Sequence, residues 1–297
     1  MANTVQNNKQ GKAVIFLHIP KAAGSTLNSV IERQFEAAAT FKIDGFRIRE
    51  SIDEFKKMPG AKRETIKLLH GHMFFGLHQF LPRPSTYITM LRDPVDRVIS
   101  HYYHVLRHSN HYLHEEVKSR DMSLKDYVSS GISVELDNGQ TRDISGEGIY
   151  QIPFPNIGIG YGQCSTEMLE RAKKHLREHF AVVGFLERFD ETLILLKRTF
   201  GWGNPCYVKS NVGENRPYKR DISKDTLKVI EKYNELDIEL YKYAGEVFEG
   251  LINKQLLSSS FERELKEFKL LNKYCGKIYI FSQRVKRKLK KLAKSYA

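Results

Sequence analysis

Three short stretches carry side chains whose type and spacing suit chemistry on an anion. In Pro20-Lys21-Ala22-Ala23-Gly24-Ser25-Thr26, small residues surround one lysine and two hydroxyls. Such a loop, set between a strand and a helix, offers backbone N–H groups at the positive end of a helix dipole, and Lys21 adds a full charge. It is not a Walker A loop, because the lysine precedes the only glycine by three instead of following a second one. The bland alternative is an ordinary strand-to-helix turn. In Arg92-Asp93-Pro94-Val95-Asp96-Arg97-Val98-Ile99-Ser100, a guanidinium ends one element and a hydroxyl follows two helical turns later, with Arg97 on about the same face. That pairing can hold a second phosphate. The alternative is a helix-start ion pair of Arg92 or Arg97 with Asp93 or Asp96, and one of these aspartates is structural in either case. Between the two stretches, His70-Gly71-His72 supplies imidazoles whose ordinary pKa near 6.5 suits proton removal at neutral pH.

The hydrophobic pattern says what positions these groups. Residues 13–19 form an apolar run that suits a strand buried on both faces, and helical spacing follows from Ser25, with Ser25 or Thr26 as N-cap. Residues 66–69 end in the paired histidines, residues 87–91 end in Arg92, and residues 180–186 give a fourth strand between helices at 167–179 and 190–200. Gly201 falls where a helix C-cap belongs. Strands alternating with helices predict an α/β fold with a mostly parallel sheet covered on both faces, and ligands bind such sheets at the carboxyl ends of the strands. Residues 132–163, rich in glycine, read as a long loop excursion. Ser223 starts one long helix through about Phe248.

Two anion sites at neighbouring strand ends, without a Walker lysine, suit a nucleotide phosphorylated at both its 5′ and 3′ positions. Phe16-Leu-His-Ile-Pro-Lys-Ala-Ala-Gly-Ser-Thr-Leu27 resembles the 5′-phosphosulfate loop of the carbohydrate sulfotransferases. Leu91-Arg-Asp-Pro-Val-Asp-Arg-Val-Ile-Ser-His-Tyr-Tyr103 resembles their 3′-phosphate motif. The likeness is nearest to the heparan sulfate and uronyl 2-O-sulfotransferases and covers roughly residues 13–250. It implies a P-loop-like three-layer fold and 3′-phosphoadenosine 5′-phosphosulfate as donor, leaving adenosine 3′,5′-bisphosphate. Lys21, Ala22, Ala23, Gly24, Ser25, Thr26, Arg92 and Ser100 then become donor contacts. Ser210, Asn211 and Arg216 join them through a loosely matched late loop. His72 becomes the base, His70 its support, and Lys21 assists the leaving group. His78 either lines the acceptor cleft or is an ordinary loop histidine. Asn138, Gln140 and Arg142 either contact a sugar or sit on a surface loop.

Composition bounds the alternatives. Of 297 residues, 41% are hydrophobic and 28% charged, as in an ordinary globular protein. No apolar run approaches the roughly 18–20 residues of a membrane span. Met1 to Lys12 is polar, and three scattered cysteines give no disulfide pattern, so a cytoplasmic protein is the default expectation. The net charge of +13 is uneven, with +9 in the last 36 residues. The chain therefore does not read as a nucleic-acid binder. Residues 251–297 read instead as a basic helical extension, with Phe281, Val285, Leu289, Leu292 and Tyr296 on one face. It can lie on an anionic membrane surface or pack on the body. His101, His104, His108, His111 and His114 read as a solvated helix and its exit, not a metal site. A P-loop nucleotide kinase and a non-enzymatic polyanion or membrane-surface binder are the competing classes.

Overall fold

The computed structural model describes residues 11–147, 159–208, 217–256 and 260–275. One sheet contains β1 (Ala13–Leu17), β2 (Thr40–Ile43), β3 (Leu68–Gly71), β4 (Ser85–Leu91) and β5 (Phe180–Phe185). Its order is β2-β3-β1-β4-β5 and every pairing is parallel. All five residues of β1 are at most 2% exposed, which places the most apolar run of the chain at the centre. β2 escapes the sequence reading because Thr-Phe-Lys-Ile is an edge strand with only Ile43 buried. The chain leaves β3 on one side of β1 and reaches β4 on the other. A crevice at the carboxyl ends therefore opens beside β1.

The described helices are α1 (Gly24–Ile31), α2 (Ile48–Lys57), α3 (Gly60–Glu64), α4 (Pro94–Arg107), α5 (His114–Ser119), α6 (Leu124–Ser129), α7 (Gly139–Ser145), α8 (Thr166–His179), α9 (Phe189–Phe200), α10 (Lys224–Lys232) and α11 (Glu235–Leu256). The sheet and its covering helices make the expected three-layer α/β fold. A second apolar cluster joins α4, α5, α6 and α10 through Val98, Val105, Val117, Tyr127 and Ile230. Asp93 caps α4 by accepting from the Asp96 N–H at 2.9 Å, so it is a structural aspartate as expected. Gly201 ends α9 at φ 68°.

Three expectations need correction. The single helix from Ser223 is two helices. Asn234 turns its amide onto the Leu136 and Ile230 carbonyls, and Asn138 Oδ1 accepts from the Leu236 and Asp237 N–H groups, capping a new start. The excursion at 132–163 contains a buried helix, α7. Its N-terminus is capped by the Asp237 carboxylate, which accepts from the Gln140 and Thr141 N–H groups at 3.1 and 2.7 Å. That carboxylate arrives from 96 residues downstream, so local composition gave no sign of it. Third, α1 begins at Gly24 with Ala23 as N-cap, which places Ser25 and Thr26 in its first turn.

The expected boundary at 250/251 falls within α11. A further helix over residues 261–275 packs on α9: Phe261 and Phe268 enter the main core, and Glu264 pairs with Lys197 and Arg198. The apolar stripe from Phe281 to Tyr296 lies outside the described residues.

Candidate active site

At the end of β1 the backbone turns through left-handed conformations at Lys21 (φ 66°) and Ala23 (φ 62°), each costing about 1–2 kcal/mol for a residue with a Cβ. Alternation of this kind turns successive N–H groups toward one concavity. Gly24 is required for space. A Cβ there would lie 1.8 Å from the His18 ring. Lys21, Ala23, Gly24, Ser25 and Thr26 all line one cavity of about 870 Å3. Ala22 differs, because its methyl is buried in the core, leaving its backbone as the part that can meet a ligand.

Arg92 and Ser100 line the same cavity, so the two anion motifs meet as the sequence predicts. Arg92 is fixed from two sides. Its Nη1 donates to the Lys21 carbonyl at 3.1 Å, and the Gln140 amide accepts from its N–H and donates to its carbonyl. Arg97 does not join them. It is 1% exposed, donates to the Glu135 carbonyl at 2.7 Å and lies 3.6 Å from the Asp237 carboxylate. Neither predicted partner, Asp93 nor Asp96, is involved in that pair.

The two histidines after β3 separate. His70 is buried; its Nδ1 meets Asn28 Oδ1 at 3.0 Å and its Nε2 lies 3.6 Å from Glu32. Burial holds its pKa down at about 4, with Glu32 opposing. His72 is partly exposed and stacks on His18 with ring centroids 4.2 Å apart. Its Nδ1–H donates to the His18 carbonyl at 2.9 Å, which leaves the lone pair on Nε2. Burial lowers its pKa, and the His18 carbonyl partly opposes that. A neutral imidazole in a fixed tautomer is the form a general base needs.

Several site residues were not read from the sequence. His18 lines the cavity and connects it to His72. His104 and Arg107 of α4 and His108 just after it line it too, which corrects the solvated-helix reading. His104 packs on His108 with centroids 3.9 Å apart, and burial followed by Lys21 holds it down at about 3. His101 and His114 are buried, with His101 between Tyr127 and Glu135 at 2.9 and 3.0 Å. Burial alone would raise the Glu135 carboxyl, yet His101, Arg97 and His72 hold it at about 2. Leu186, Glu187, Arg188, Phe189, Asp190 and Glu191 close another side. The signal for them was available, since they follow the carboxyl end of β5.

The proposed acceptor contacts fall elsewhere. Gln140 and Arg142 are 0% and 1% exposed; Arg142 binds Asp137 at 2.5 Å and the Ile159 and Gly160 carbonyls, while Asn138 caps α11. These three are buried framework, committed to partners within the chain. His78 sits near the amino ends of β4 and β5, away from the carboxyl-end crevice, bonded to the Tyr87 hydroxyl at 3.1 Å and beside His179. Ser210, Asn211 and Arg216 lie outside the described residues. Among the described residues, no group of three or more histidine, cysteine or acidic side chains is placed to hold a metal, and no helix is long and apolar enough to cross a membrane.

A family model for galactose-3-O-sulfotransferase matches residues 2–288. The chain belongs to that family. Human heparan-sulfate 6-O-sulfotransferase 1 is 32% identical over 191 residues, covering 57% of this chain and 44% of the human one. The mouse heparan-sulfate 6-O-sulfotransferase 3 is 30% identical over 186 residues, covering 55% and 38%. The chain thus spans less than half the length of these relatives. A crystal structure of mouse sulfotransferase SULT7A1 complexed with PAP aligns over 90% of this chain and 94% of that one, with 13% identity and a TM-score of 0.38. Membership among carbohydrate sulfotransferases agrees with the motif resemblance, but the family model is named for 3-O and these relatives for 6-O transfer, not for the 2-O group nearest by motif.

Proposed function

We propose that this family member transfers the sulfuryl group of 3′-phosphoadenosine 5′-phosphosulfate to a carbohydrate hydroxyl. The observation that carries this reading is the meeting of the Lys21–Thr26 loop with Arg92 and Ser100 in one cavity. A volume of about 870 Å3 lies within the ordinary range for ligand pockets of roughly 300–1,000 Å3. The loop N–H groups, Lys21, Ser25 and Thr26 suit the 5′-phosphosulfate, and Arg92 with Ser100 suits the 3′-phosphate. Transfer forms a bond from the acceptor oxygen to sulfur and breaks the bond from sulfur to the bridging oxygen. His72 Nε2 takes the acceptor hydroxyl proton, and Lys21 offsets charge on the departing nucleotide. His70 works behind this pair, orienting Asn28, whose amide also meets His18 at 3.3 Å.

The acceptor class follows from the relatives' names: a heparan-type chain or a galactose-bearing glycan. No reaction step in this scheme calls for a metal ion. Peripheral contact of the basic stripe at 281–296 with an anionic membrane remains a separate proposal, and it concerns residues outside the described ones.

Calorimetry tests the donor half. Adenosine 3′,5′-bisphosphate should bind far better than adenosine 5′-monophosphate. Arg92→Ala should weaken the bisphosphate by about 1.5–3 kcal/mol, the range for a charged hydrogen bond, while leaving the monophosphate nearly unchanged. Equal affinity for the two nucleotides would overturn the assignment.

A further inference from the structure

The three cysteines are all free thiols, yet their surroundings differ. Cys164 faces the Asp137 carboxylate at 3.7 Å, and burial with that carboxylate pushes its pKa up to about 12. Cys206 and Cys275 instead act on one another although 69 positions apart in sequence: burial, with Cys275 next in effect, pushes the Cys206 thiol up to about 11. Their neighbours hold the same two segments together. The Tyr207 N–H donates to Asn272 Oδ1 at 2.7 Å, and Asn272 lies three residues before Cys275 on the helix over 261–275, hence on the same face. The Tyr207 ring packs on Phe268 of that helix. Both thiols are half-buried, within reach of a small reagent.

We propose that Cys206 and Cys275 form a reversible disulfide that clips the helix over 261–275 to the wall of the nucleotide cavity. The wall is involved because Tyr207, next to Cys206, and Lys269, on the clipped helix, both line that cavity. The oxidant is a low-molecular-weight disulfide. The Cys275 thiolate attacks one of its sulfurs, breaking that S–S bond and releasing one small thiolate, which takes up a proton. Cys206 then gives up its proton and attacks the Cys275 sulfur of the mixed disulfide, releasing the second small thiol. Two protein S–H bonds become one S–S bond, and the small disulfide is reduced to two thiols.

The test equilibrates full-length reduced protein with increasing ratios of oxidised to reduced glutathione, traps it by alkylation and reads intact mass and joined peptides. The expected product has lost two hydrogens, joins Cys206 to Cys275 and leaves Cys164 alkylated. Its Tm should exceed that of the reduced protein by several degrees, as closing a loop of this length implies. Cys206→Ser should stop at the mixed disulfide on Cys275. Separate glutathione adducts on both cysteines, or a bridge to Cys164, would overturn the proposal. If the serine variant fails to fold, the wild-type mass and Tm decide alone.

Discussion

Replacing His72 separates proton transfer from architecture. His72→Ala removes the base and the 4.2 Å stack on His18 together, whereas His72→Asn removes the base but keeps an N–H donor near the position of Nδ1, facing the His18 carbonyl. His72 does not line the nucleotide cavity, so either variant should bind adenosine 3′,5′-bisphosphate within about twofold of wild type. Turnover should fall about 10²–10⁴-fold, the usual contribution of a positioned base, or roughly 2.7–5.5 kcal/mol of barrier. The pH profile supplies the sign. Burial lowers the His72 pKa below 6.5, so the neutral, active form predominates at neutral pH. Wild-type turnover should be flat there and drop tenfold per unit only below that lowered pKa. Both variants should lack this acid limb. Initial rates of bisphosphate release with a saturating glycan acceptor read all of this. An Asn variant within tenfold of wild type, or one keeping the acid limb, would refute the assignment of His72.

Three other variants probe the supports. Gly24→Ala drives a methyl into the His18 ring, and thermal melting with calorimetry should show a lower Tm and loss of bisphosphate binding. Glu135→Gln removes a charge that raises the His72 pKa, so the acid limb should move to lower pH. Arg142→Ala leaves the Asp137 carboxylate buried and unpaired. Denaturant titration should record a loss of about 3–5 kcal/mol in stability.

Sequence reading reached the site where the information is local. A strand, a tight turn with Lys21 and a helix occupy one contiguous stretch, and so do β4, Arg92 and Ser100, so both motifs and the parallel sheet were legible. It failed where a partner arrives from far along the chain. Arg97 was read against Asp93 and Asp96, yet its carboxylate comes from Asp237. The segment around α7 read as a polar loop because its polar side chains are satisfied by Asp237, by the backbone and by one another. Burial inverts their meaning: Gln140 and Arg142 hold Arg92 and Asp137 in place instead of meeting a ligand. His18 was visible only as one polar member of an apolar run. Its role appears once Gly24 lies against its ring and His72 stacks on it.

The most direct test of the account is transfer itself. Donor carrying a 35S-labelled sulfuryl group is incubated with the full-length protein and a panel of heparan-type and galactose-bearing glycans, in EDTA. The account predicts label on a glycan hydroxyl, released bisphosphate equal to the label transferred, and both lost in His72→Asn. Labelled donor that stays intact with every glycan, while ATP with Mg²⁺ yields a phosphorylated product, would contradict it.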